Sequence, residues 1–81
     1  MPSKEDMIAR LNAYLVSLAT ARAALGLRDP LAFEVNRKFA RVFSVSGSFR
    51  SAVCFVDIET GDIYRADSWR ARGRMMQARG V

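Results

Sequence analysis

Met7, Leu11, Tyr14, Leu18, Ala21 and Leu25 recur three or four positions apart, with Ile8 and Leu15 widening the stripe. That period puts the residues on one side of a helix, so the chain opens with one long amphipathic helix. Ser3, followed by Glu5 and Asp6, reads as a capping entrance with acids at the positive end of the macrodipole, and Gly26 supplies the stop. Arg10, Asn12 and Arg22 interrupt the run, and guanidiniums are expensive to bury in lipid, so no membrane passage is expected. Near the helix end, Arg22 meets the negative pole, a structural role. Ala9, Ala13, Val16, Ala19 and Ala23 hold the opposite side. This small apolar surface either supplies helix propensity in solvent or makes a second contact, such as a homo-oligomer formed through the helix.

Beyond Gly26 the pattern changes. Asp29-Pro30 is a helix-start signal, a capping aspartate before a proline preorganised for the first position, so a short helical turn is expected over Leu31 to about Asn36. Lys38 to Val45 and Phe49 to Ile58 are aromatic and β-branched, separated by Ser46-Gly47-Ser48. Glu59-Thr60-Gly61-Asp62 is a second turn, and Ile63-Tyr64-Arg65 begins a third, short strand. The expected fold class is therefore α+β: one N-terminal helix packed on a three-stranded antiparallel meander, residues 1–81 forming a single small domain. Residues 68–81 are expected as a basic, partly flexible segment. In the second strand Ala52, Cys54, Val56 and Ile58 share one side while Val53 and Phe55 take the other, so both sheet faces are apolar and something must cover the outer one. The segment carrying Trp69, Met75 and Met76 is the intramolecular candidate, and a partner is the other.

Composition narrows the chemistry. Thirteen Lys and Arg against eight Asp and Glu give a net charge of +5, which favours anionic partners. There is no histidine, which removes His-based metal sites and the usual general base near neutral pH. Cys54 is the single cysteine, so no intramolecular disulfide can form, and its apolar surroundings suggest an inert buried thiol. The acids Asp57, Glu59, Asp62 and Asp67 lack the density of a calcium loop and suit turn stabilisation. No catalytic set stands out, and the chain is expected to be a non-enzymatic protein without a cofactor or metal.

The basic residues concentrate late. Arg65, Arg70, Arg72, Arg74 and Arg79 fall within 15 residues, and from Ser68 onward no acid offsets them. Arginine suits bidentate phosphate contacts and stacking on bases. Trp69 stands among them, either stacking on a base or closing the sheet against solvent, the second being commoner in so short a chain. Phe39, Phe43, Phe49 and Phe55 are expected in core packing, since no stretch matches the consensus of an RNA-recognition sheet. The candidate nucleic-acid-binding set is thus Arg65, Trp69, Arg70, Arg72, Arg74 and Arg79.

The run Val56-Asp57-Ile58-Glu59-Thr60-Gly61-Asp62-Ile63-Tyr64-Arg65-Ala66-Asp67-Ser68-Trp69-Arg70-Ala71 resembles small uncharacterised proteins of tailed bacteriophages. Their hairpin reads roughly Val-Asp-x-x-Thr-Gly-Asp-x-x-Lys-x-x-Ser/Thr-Trp-Lys-x-Pro and closes with Ala-Arg-Gly. Here arginines replace the lysines, Arg72 stands at the proline position, and Ala78-Arg79-Gly80 comes two residues late. The resemblance covers about the last third of the chain and implies a phage or prophage origin and a cytoplasmic life in the infected host cell. It brings no catalytic residue. The leading expectation is a phage-type small binding protein that holds single- or double-stranded nucleic acid without reading sequence. The alternative is an interaction protein that binds a host defence or transcription component, and a small nucleotide ligand also fits the same residues.

Overall fold

A computed structural model describes residues 4–81, so the Ser3 cap lies outside the described residues. Helix α1 spans Lys4–Ala24 with Glu5 and Asp6 in its first turn and Arg22 in its last. Gly26 ends it with φ +84, a left-handed conformation natural to glycine, and the Leu27 N–H returns to the Arg22 carbonyl at 2.9 Å. Five antiparallel strands follow: β1 Leu31–Val35, β2 Phe39–Ser46, β3 Phe49–Asp57, β4 Ile63–Ala66 and β5 Arg72–Gln77. They lie side by side in chain order. The α+β class and the meander topology match the expectation, but the sheet has five strands rather than three.

Both added strands replace an expected irregular element. Leu31–Val35 pairs along its length with Ala40–Ser44 instead of forming a helical turn. Pro30 sits just before the strand, where its missing N–H costs no ladder bond, and its carbonyl accepts from Val45 N at 2.9 Å. Sheet pairing by Phe33 and Val35 outweighs the local cap signal. At the other edge, Arg72–Gln77 joins β4, although Arg-Gly-Arg-Met-Met-Gln has little strand propensity. Charged side chains on a short, irregularly paired edge strand also discourage edge-to-edge association.

One sheet face packs on α1. Met7 and Leu11 meet Ala40, Val42, Cys54, Val56 and Ile63 in a fully buried aliphatic cluster, with Tyr14, Leu15, Leu18, Phe33, Val35, Val53, Ile58 and Val81 around it. The buried apolar stripe ends early, Ala21 being exposed and Leu25 78% exposed, while Arg22 of the last turn is half-buried with its Nε out of reach of solvent. A bulge shifts the β2–β3 register, Val42 facing Cys54 but Phe43 facing Ala52. The extra residue, Val53, therefore packs towards the helix side, and Ala52 moves to the outer face, opposite to simple alternation.

The β3–β4 turn is held by its own acids. Asp57 Oδ1 accepts from the N–H groups of Glu59 and Thr60 at 2.8 and 3.3 Å. Gly61 has φ +79, and a Cβ there would collide with the Val81 carbonyl oxygen, so glycine is needed on both counts. Among the described residues no helix is long and apolar enough to cross a membrane.

Candidate nucleic-acid interface

The outer sheet face follows from alternation along β2. Ala40 and Val42 point at the helix, which leaves Phe39, Arg41 and Phe43 outward. Register adds Phe55 and Tyr64 beside Arg41, and Glu34 from β1 on its other side. Phe43 and Phe55 are buried although no helix covers them, at 7% and 5% exposure. Their cover is made of side chains. Trp69 lies 5.4 Å from Phe43, ring centre to ring centre, and Phe39 meets Tyr64 edge-on at 5.7 Å.

Guanidiniums complete this layer. Arg41 stands 4.5 Å from the Trp69 ring centre and 5.7 Å from that of Phe55. Arg50 stands 5.0 Å from Trp69 and 5.4 Å from Phe43. Arg72 stands 4.4 Å from Tyr64 and 5.2 Å from Phe39. Each lies within the range where a cation is drawn to the ring quadrupole. Arg41 is the most constrained: its Nε donates to the Trp69 carbonyl at 2.6 Å, and its Nη1 pairs with Glu34 Oε1. The 67–71 loop is thereby tied down over the sheet, closed also by Asp67 N to Ala71 O at 3.0 Å and by Ser68 Oγ, which accepts from Ala71 N at 3.1 Å.

Beside these stacks the face is hollow. A depression of about 270 Å³ is lined by Asn36, Arg37, Lys38, Phe39, Arg41, Phe55, Arg70 and Arg72. Five of the eight lining residues are cations and none is an acid, so the hollow joins an aromatic floor to a positive rim.

The six residues singled out in the sequence are distributed unevenly. Arg70 and Arg72 reach the hollow. Trp69 is half-buried and serves as a cover over Phe43 rather than as a free platform. Arg65 pairs across from Cys54, on the helix-facing side, and its Nη2 and Nε reach Asp67 Oδ1 at 3.0 and 3.1 Å. Asp67 abuts Gly73, where any Cβ would strike its carboxylate. Arg74 is exposed on β5. Arg79, at φ +53, has its N–H held by Asp62 Oδ1 at 2.8 Å, beside the β3–β4 turn.

The patch therefore draws on residues that the sequence reading passed over: Arg37, Lys38, Arg41 and Arg50. Their signal was cross-strand, not local. Arg41 interrupts Phe39 and Phe43 at the alternation expected of one strand face, and only the β2–β3–β4 register shows that Phe55 and Tyr64 join it. The phenylalanines also divide differently from a single core. Phe39, Phe43 and Phe55 form the outer layer, while Phe49 at the hairpin tip is 77% exposed.

On the helix side, Tyr14 Oη and Cys54 Sγ lie 3.9 Å apart. Burial pushes both groups above their ordinary pKa values, so each stays protonated near neutrality. A protonated, buried thiol is a poor nucleophile.

Residues 4–79 match a family of unknown function (DUF7717), and the chain belongs to that family. No curated protein and no solved structure matches it.

Proposed function

We propose that this is a non-enzymatic binding protein whose outer sheet face holds nucleic acid through its backbone and bases rather than by reading sequence. The observation that carries this reading is the hollow, where Arg37, Lys38, Arg41, Arg70 and Arg72 surround Phe39 and Phe55. Phosphates neutralised there release counterions, and aromatic and guanidinium planes accept bases whatever their identity. Arg74 adds exposed charge along β5, whereas Arg65 is committed to Asp67. The likeness of the tail to proteins of tailed bacteriophages supports a phage origin and action in the host cytoplasm.

A fluorescence-anisotropy titration with labelled single- and double-stranded DNA, repeated at low and moderate salt, tests this. With about three phosphates engaged, log K should fall against log salt with a slope near −2 for single strands. No binding of either form at low salt removes the reading.

A second reading rests on Phe49 and Met76, apolar side chains at 77% and 60% exposure. These favour docking on a host protein. A pull-down from nuclease-treated host lysate should retain one specific protein under this reading, lost on Phe49→Ser. Under the nucleic-acid reading it should retain none.

A further inference from the structure

We propose that the hollow seats an unpaired base, making a single strand the preferred ligand over duplex; this rests on the nucleic-acid reading above. Three observations converge on it. The first is shape: the site is a depression in a sheet, and a duplex keeps its bases stacked inside, offering a depression only its backbone. The second is size, since about 270 Å³ falls just below the roughly 300–1,000 Å³ of small-molecule pockets, room for one planar group rather than an extended ligand. The third is the arrangement of charge around apolar surface. Phe39, Phe55 and the Arg41 guanidinium make the floor, and Arg37, Lys38 and Arg70 stand at the rim. A base entering from above stacks on the Arg41 and Arg72 guanidinium planes, which lie over the Phe55 and Phe39 rings, while the phosphates on either side of it meet the rim cations.

The guanidiniums are also prearranged. Arg72 is held against Tyr64 and Phe39, and Arg41 by Trp69 and Glu34, so little side-chain freedom remains to be lost on binding. Charge complementarity selects an anionic strand, because the lining contains no carboxylate and the adjacent Glu34 is already engaged by Arg41.

The test compares four probes on the full chain at one low salt concentration, followed by quenching of the single tryptophan, Trp69. They are an oligothymidylate of about 12 nucleotides, an abasic strand of equal length, a duplex of equal length, and thymidine monophosphate. The oligothymidylate should bind on the order of ten-fold tighter than the abasic strand and the duplex, as expected when at least one base stacks. Phe39→Leu keeps an apolar side chain but removes the ring on which Arg72 stacks, and should bring oligothymidylate affinity down to that of the abasic strand. Equal affinity for thymidylate, abasic strand and duplex overturns the base seat while leaving a general polyanion surface. Thymidine monophosphate competing as well as the oligomer overturns the preference for a strand. No binding by any polymer defeats the underlying nucleic-acid reading itself.

Discussion

The two faces of the sheet are built from alternate residues of the same strands, yet they close by different means. Towards the helix, Ala40, Val42, Cys54, Val56 and Ile63 are sealed by Met7 and Leu11, aliphatic against aliphatic. Outward, Phe39, Phe43, Phe55 and Tyr64 are sealed by Trp69 and three arginines, whose guanidiniums lie over the ring faces. On the helix side the polar groups Tyr14 and Cys54 face each other within the packed layer. A cationic cover, by contrast, protects apolar surface and presents charge at once, so a small chain closes its second sheet face without a second helix. Stability should therefore reside mainly on one face and binding on the other.

The largest test is Leu11→Ala. Leu11 is fully buried at the centre of the helix contact, so its truncation should cost about 2–5 kcal/mol. For a domain this small that is a large share of total stability, and the urea midpoint should fall sharply. The fraction still folded should bind oligonucleotide with unchanged affinity. A loss of affinity in that fraction would break the separation of the two faces.

Trp69→Ala should come next, at about 2 kcal/mol, below the usual cost for a fully buried tryptophan because the ring is half-exposed. Thermal unfolding checks it. If this variant proves costlier than Leu11→Ala, the outer face rather than the helix face is the main core. Glu34→Gln should change stability by less than about 1 kcal/mol, since the Glu34 side chain is 41% exposed and solvent screens its pair with Arg41. Affinity for DNA should rise, because the substitution removes the negative charge paired with Arg41 while the Trp69 carbonyl still holds that guanidinium. A weaker complex would show that Glu34 is needed to hold Arg41 in its stacked position.

How far this contrast was legible in the sequence depends on which signals are local. The helix was readable because its stripe and Gly26 act within one element, although the apolar stripe packed on the core ends at Leu18. The hairpin turns were readable too, with Gly47 and Gly61 at φ +61 and +79. What escaped was set by pairing between distant segments. Pro30 precedes a strand because Leu31–Val35 finds β2, and Arg72–Gln77 becomes a strand because β4 offers it an edge. The bulge at Val53 reverses two side chains without any glycine to announce it. The candidate site suffered most from this. Reading the arginines as a run grouped Arg65 and Arg79 with Arg70 and Arg72, whereas the sheet groups Arg70 and Arg72 with Arg37, Lys38 and Arg41.

The smallest effect near neutrality is one of pH, and it separates the faces by chemistry rather than by mutation. Tyr14 and Cys54 meet on the helix side, and burial raises both from ordinary values of 10.0 and 9.0. The folded chain thus keeps protons that the unfolded chain gives up in alkali. Their contribution is fully present below about pH 9 and is lost as the pH rises, first through Cys54 and then through Tyr14. Urea midpoints should stay level between about pH 6 and 8 and decline from about pH 9 upward. In Cys54→Ala the decline should begin nearer pH 10, because only the phenol then remains to titrate. A midpoint that climbs in alkali would mean that these two groups are not held protonated against the sheet, and that burial does not govern their titration.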